Sequence, residues 1–534
     1  MWQSRFDLES GTRRPASQPL AVLAIGALLL GACTSWQPSR LAPAALVSRP
    51  PESGVRVVLN SGDKMVLLRP FIRSDSLGGS FTEPGSWTHI VMVPLADVAS
   101  LEVRRFSVGE TAMAVATIGA GALVIAAVTS GGGSSSGGGS SSGTGSGYGS
   151  GWDGGRFSCP LVYSWDGRHW RLDSGTFGGA IVEALERTDL DNLDHVRAQD
   201  GTLRLRVANE LAETDHLDAL AVLAVDHDPA VTVAPDPAGG IHTLGTLVPP
   251  LWARDHRNVD ALARVRDADG WNWESSLSGR DPGRPDDLRD GLELAFARPH
   301  GATRAHLVLD GNSSVWGNYL LGQFIRAHGS ATQAWYDSLN AHPAAALAMQ
   351  ARLAREAFLA ASVRTAAGWR SAGTFWEAGP EVVKRQVLDL DLSQVAGDTV
   401  LVRLESAPSF WTIDRVAMDF SDDQAVTVHE LPLVAATDRD GNDVAAALKA
   451  VDRREYVLQH GDAALVTFAA PAVPAGRART YLLRSTGWYR VDTPETGEPD
   501  IAALASVGRD SLAVGRASVV RLNAALAALA GPAR

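Results

Sequence analysis

The chain has 534 residues, too many for one ordinary domain at about 150 residues each. It is 45% hydrophobic and 20% charged, which excludes wholesale disorder, and its net charge of −12 argues against a nucleic-acid partner, which would need a basic footprint. Its 2 cysteines exclude a disulfide scaffold and any all-cysteine metal site.

Residues 1–32 read as a signal peptide. Arg13 and Arg14 form a basic start, and Leu20 to Leu30 is an apolar run too short to cross about 30 Å of hydrocarbon. The run ends Leu30-Gly31-Ala32-Cys33, which resembles the lipobox of bacterial lipoprotein precursors. That resemblance implies cleavage before Cys33, diacylation of its thiol and anchorage in membrane lipid. Asp7 and Glu9 depart from the usual basic start, and a start downstream of Met1 would remove them. Thr34 stands where an aspartate signals inner-membrane retention in that family, so the resemblance leans to the outer membrane of the cell envelope.

Residues 33–52, rich in Pro, Ala and Ser, read as a tether. Residues 53–108 read as a small β domain. Val55, Val57 and Leu59 alternate, Asn60-Ser61-Gly62-Asp63 turns the chain, and Met65 and Leu67 follow. Gly78-Gly79 marks a second hairpin before Ile90, Met92 and Pro94, and Val98, Leu101 and Val103 close the unit. Four or five short strands in this length resemble an SH3-like or Sm-like barrel. Thr111 to Thr129 is uncharged, and as a helix it would be about 28 Å long, a bilayer's thickness. Ala112, Ala116 and Ala120 give it the small-residue spacing that lets membrane helices touch, so it reads as a membrane helix and a route to a homo-oligomer. Residues 130–151 are a Gly/Ser linker, expected to behave as a flexible coil that separates the N-terminal segments from the body.

The fold class is mainly β, and residues 152–492 read as a large β-sandwich body. Leu161 to Trp165 and Arg168 to Leu172 flank Asp166-Gly167, a dipeptide suited to a two-residue type I′ turn. Leu203, Leu205 and Val207 alternate with Arg204 and Arg206. Leu388, Leu390 and Leu392, and Val400, Val402 and Leu404, repeat the pattern of a sheet with one wet face. Phe410 to Phe420 resembles a closing strand of galactose-binding-like modules. Residues 317–356 read as a helical insert broken near Gly329 and Pro343, residues 228–300 as long surface loops, and residues 493–534 as a helical tail.

No motif announces a reaction. There is no His-Glu-x-x-His, no histidine pair at i, i+4, no nucleophile elbow and no phosphate-binding loop. Cys159 opens an apolar strand and reads as a buried, inert thiol. Two acidic stretches have oxygen spacing that calcium accepts: Asp189, Asp191 and Asp194, and Asp438, Asp440 and Asn442. The bland alternatives are a solvated polar face for the first and an Asx turn before a helix, capped by Asp443, for the second. Trp271 and Trp273, at i, i+2, would share one face of a strand and offer a stacking platform for a glycan, or else fill a core. The expectation is a membrane-anchored envelope lipoprotein, non-enzymatic and possessed of a β-rich body that binds a glycan or an envelope protein at the cell surface. The alternatives are a tethered polysaccharide hydrolase and an oligomeric secretion or transport component.

Overall fold

A computed structural model of the chain describes residues 34–39, 55–60, 64–73, 76–82, 88–106, 160–275, 279–376 and 379–530. Cys33, Cys159, the apolar segment 111–129 and the Gly/Ser linker lie outside the described residues. Among the described residues the protein is mainly β, with several antiparallel sheets, and no helix is long and apolar enough to cross a membrane.

The N-terminal sheet has six strands in the order Thr34–Pro38, Val98–Phe106, Val55–Leu59, Lys64–Arg73, Ser76–Thr82, Thr88–Pro94. Val55, Val57, Leu67, Leu77, Val93, Leu101 and Val103 form its core. Two local expectations are corrected. The start of the tether is itself a strand, paired along Val98–Phe106. Gly78 and Gly79 lie inside a strand with partners on both sides, and they do not form the turn.

The body consists of two units, each built from two sheets around its own core. In the outer unit one sheet runs Leu433–Asp438, Ala463–Ala469, Thr202–Ala208, Leu161–Trp165, Trp170–Gly175. The other runs Thr427–Glu430, Glu213–His227, Ala478–Val491, Arg187–Asn192, with Tyr456–Leu458 also on the long second strand. Leu203, Leu205, Val466 and Phe468 from the first sheet meet Leu220, Val222 and Leu483 from the second. The inserted unit pairs the sheet Trp252–Asp255, Asp290–Ala297, Thr399–Ser406, Leu359–Thr365, Gly368–Phe375 with the sheet Trp273–Glu274, Trp411–Asp419, Arg304–Ser313, Lys384–Asp391. Leu292, Leu294, Phe296, Leu307, Leu309, Val402, Leu404 and Ile413 lie in its core. The chain leaves the outer unit after His227, builds the whole inserted unit, and returns as Thr427–Glu430 beside the strand it left. A single sandwich over 152–492 is thus replaced by one unit threaded into another.

Each unit also lends helices to the other. The insert consists of Val315–Arg326, Thr332–Ala341 and Pro343–Ala357. Its Trp316, Leu320 and Ala357 pack in the inserted core, while Ile325, Tyr336, Leu339 and Ala346 pack in the outer core. The tail, Ile501–Arg509 and Ala513–Ala530, follows the last outer strand yet places Val514 and Leu522 in the inserted core. Trp316 Nε1 donates to Ser518 Oγ at 2.9 Å, and the Val514 and Gly515 N–H groups donate to buried Glu356 at 3.0 and 3.2 Å. Gly515 is needed for the close approach, because a Cβ there would stand 2.1 Å from the Leu288 carbonyl oxygen.

The stretch 228–300 is not a run of loops. It contains the hairpin Thr232–Pro235 with Ile241–Leu244, two short strands and the strand Asp290–Ala297. The expected Asp166-Gly167 turn is a four-residue connection: Trp165 pairs directly with Trp170, and Asp166 accepts from the Arg168 and His169 N–H groups. This hairpin also meets the N-terminal sheet. Arg171 donates to the Ala99 carbonyl at 2.7 Å, and His169 Nε2 lies 3.1 Å from the Asn60 carbonyl, so the regions flanking the linker touch.

Candidate metal centre

The two chain crossings between the units meet at one polar cluster. The hairpin on the outgoing crossing is a wedge. Val233 on one face packs with Leu223, Val225 and Leu482 of the outer unit. Ala234 and Leu244 on the other face pack with Val308 and Val387 of the inserted unit. Period-two alternation then dictates what lies at the edge of that patch. Two residues from Leu244 is His242, two from Val308 is His306, and two from Val387 is Asp389, with His306 and Asp389 directly opposed across their strands. The returning crossing supplies Asp423 to the same place.

Five side chains converge. His242 Nδ1 lies 3.0 Å from Asp423 Oδ2, and His306 Nε2 lies 3.7 Å from the same oxygen. The far side of each ring is held by another carboxylate: His242 Nε2 by Asp236 at 3.1 Å, and His306 Nδ1 by Asp389 at 2.7 Å. The ring centroids are 4.9 Å apart. One donor atom each from His242, His306 and Asp423 lies within 4.8 Å of the other two.

The supports are local. Asp236 opens the hairpin turn, and its Oδ1 accepts from the N–H groups of Ala238 and Gly240 at 2.8 and 2.7 Å. Gly240 leaves the room this needs, since a Cβ there would meet Asp236 Oδ2 at 2.5 Å. Asp423 accepts from the Thr243 N–H at 2.6 Å, and Asp419 from the Gly245 N–H at 2.6 Å, so the returning crossing is stitched to the outgoing one. Burial opposes protonation of His242, but its hydrogen bonds to Asp236 and Asp423 and the charge of Asp389 outweigh it and raise its pKa. Burial likewise opposes ionisation of Asp423 and Asp236. The Thr243 N–H with His242 for Asp423, and His242 with the turn N–H groups for Asp236, hold both below the usual carboxylate range. Two imidazoles and three carboxylates can hold protons or, with the rings neutral, a divalent cation.

The residues singled out by sequence lie elsewhere. The i, i+2 rule fails for the tryptophans because the strand is only Trp273–Glu274. Trp273, 7% exposed, is in the inserted core, while Trp271, 47% exposed, precedes the strand and lies under the Arg264 guanidinium at 4.1 Å. No shared platform forms. The first acidic stretch does not converge either. Asp189 pairs with Arg187 at 2.9 Å and Asp191 with buried Lys384 at 2.8 Å, while Asp194 gives its N–H to Asp173. Nearby cations take up the carboxylates of Asp189 and Asp191. In the second, Asp438 accepts from the N–H groups of Asp440 and Asn442, an Asx turn, and Asp443 accepts from the Ala445 N–H at the helix start. Asp440 is exposed, with Arg439 3.9 Å away. Among the described residues, neither stretch gathers three His, Cys, Asp or Glu ligand atoms.

Spacing missed the His/Asp cluster because His242 and Asp423 are 181 residues apart. A subtler signal was available for His242, which falls in phase with buried Leu244; His306 alternates with Leu307 and Leu309 of the inserted core and shares its face with Val308, so its phase by itself read as the opposite face. No family model matches the chain, and neither a curated protein nor a solved structure matches it.

Proposed function

We propose that the protein is an envelope lipoprotein, anchored in membrane lipid through Cys33, whose body is a non-enzymatic scaffold that binds another envelope protein. Leu30-Gly31-Ala32-Cys33 supports the anchor, Thr34 in place of an aspartate supports the outer membrane, and a span at 111–129 there would face the body to the cell surface. In this reading the segment 111–129 adds a membrane contact and a site for self-association. With the N-terminal strand set aside, the small sheet places its last strand beside its first, which supports the SH3-like or Sm-like resemblance. The paired sheets of the body support the galactose-binding-like one.

The observation that carries the binding role is the outer face of the first sheet of the outer unit. Leu203, Leu205 and Val207 point inward, so Arg204 and Arg206 point out. Two cross-strand rows result: Leu465, Arg206 and Tyr163 in one, and Thr467, Arg204, Trp165 and Trp170 in the other. Arg204 lies 4.6 Å over the Trp165 ring, Arg206 lies 5.1 Å over the Tyr163 ring, and the two tryptophans pack edge to face at 5.3 Å. Exposed Leu465 and Val434 extend the surface. Arginine and aromatic side chains on a rigid sheet, with apolar residues beside them, are the composition of protein interfaces. The dispersal of Trp271 and Trp273 removes the support for a glycan platform.

Fatty-acid labelling combined with a photo-crosslinker tests both halves. The wild-type chain should take up label and Cys33→Ser should not. A crosslinker at Leu465 should give a discrete adduct in envelopes, whereas one at exposed Leu347 on the helical insert should not. Undiminished labelling of Cys33→Ser would overturn the anchor, and equal crosslinking at both positions would overturn the binding face.

A further inference from the structure

The geometry points to a binding site for one divalent transition-metal ion at His242, His306 and Asp423, with zinc the best match in charge and donor chemistry. Two imidazole nitrogens and one carboxylate oxygen are the protein ligands of an open tetrahedral zinc site, and such sites leave a fourth position for water or a further oxygen. At metal–ligand bonds of about 2.0–2.1 Å, tetrahedral ligand atoms stand roughly 3.3 Å apart. The two separations about Asp423 Oδ2, 3.0 Å to His242 Nδ1 and 3.7 Å to His306 Nε2, bracket that value. Asp389 Oδ1, held by His306 Nδ1 at 2.7 Å, lies 3.9 Å from His242 Nδ1.

The outer layer is that of a built metal site. Metal-ligating histidines hand their second nitrogen to a carboxylate or carbonyl, which fixes the ring and makes the ligand more basic. Here both do so, His242 to Asp236 and His306 to Asp389. Asp423 is oriented by the Thr243 N–H. With both rings neutral, this cluster has three carboxylates facing two imidazoles, so a dication can take the place of the two ring protons without changing the net charge.

The ligands come from three parts of the chain: the outgoing crossing, the inserted unit and the returning crossing. A bound ion would therefore fasten the inserted unit to both connections that carry it. This role is independent of the proposed binding face and of the anchor.

The test uses the full-length chain in detergent, first stripped of metal by chelator. Titration with Zn2+, and with Co2+ followed by its d–d absorption, should show one equivalent bound with no thiolate-to-cobalt band. The missing band excludes either cysteine as a ligand. His242→Gln, His306→Gln and Asp423→Asn should each weaken zinc at least 100-fold. The supporting variants Asp236→Asn and Asp389→Asn should weaken it about 10- to 100-fold. Zinc should also raise the melting temperature of the wild-type chain, while Mg2+ at the same concentration should not. That comparison needs no variant to fold. Absence of a zinc-specific shift in the wild-type melt would overturn the site, as would a one-equivalent titration that survives all three ligand substitutions.

Discussion

Two buried carboxylates, one in each unit, are accommodated in opposite ways. In the inserted unit, Asp310 lies in the central strand Arg304–Ser313 and is clasped by two arginines, Arg385 at 2.8 and 3.2 Å and Arg415 at 2.6 Å. In the outer unit, Asp215 lies in the long strand Glu213–His227, fully buried, and neither carboxylate oxygen has a protein partner. Burial, reinforced by the charge of Asp492, raises its pKa well above the usual carboxylate value. The strand explains the position. A bulge between Leu217 and Ala219 switches its phase, so Asp215 and Leu217 face the core before it and Leu220 and Val222 after it. The same side chain is therefore clasped at Asp310 and uncompensated at Asp215.

Ways to break this contrast run from large effects to small. Trp273→Ala removes a core side chain of the inserted unit and should cost about 3–5 kcal/mol in denaturant unfolding. Asp310→Ala should cost about 3 kcal/mol, because it strands two guanidiniums that retain some access to water. Asp215→Val should do the opposite, stabilising the chain by about 1–3 kcal/mol at neutral pH by deleting two unsatisfied acceptors. The sign follows from linkage. A carboxyl whose folded pKa is raised holds its proton better in the native state, so its contribution is full at low pH and is lost as pH rises above the ordinary value of 3.8. The advantage of Asp215→Val should accordingly grow with pH in melts run from acid to neutral. An advantage that shrank instead would mean that Asp215 is paired. Trp271→Ala, at the exposed neighbour of the core tryptophan, should cost no more than about 1 kcal/mol, the worth of its stack with Arg264.

Much of the strand content was legible in sequence because alternation records which face is wet. Leu203, Leu205 and Val207 do lie inward, and the breaks at Gly329 and Pro343 do separate helices. The threading of one unit into the other was not legible. The strands at the crossing, Thr232–Pro235 and Ile241–Leu244, have four residues each, too few to establish a period, and their Asp-Pro-Ala-Gly-Gly turn has the composition of a loop. The His/Asp cluster depends on that threading, so no local spacing could reveal it. The acidic stretches show the converse. Their spacing is local, but Asp191 is taken by Lys384, which lies 193 residues away in the other unit.

The central structural claim is that the units are interlocked, each holding helices supplied by the other. Trp316 and Ile325 belong to one helix yet lie in different cores, and Val514 follows the outer unit yet packs in the inserted one. Neither core is complete without both units. The most direct test is calorimetry on the chain beginning at Trp152, which leaves out the N-terminal sheet. Interlocked units should melt in a single transition whose calorimetric and van't Hoff enthalpies agree. Two resolved transitions, one moved by Asp215→Val and the other by Asp310→Ala, would contradict the account.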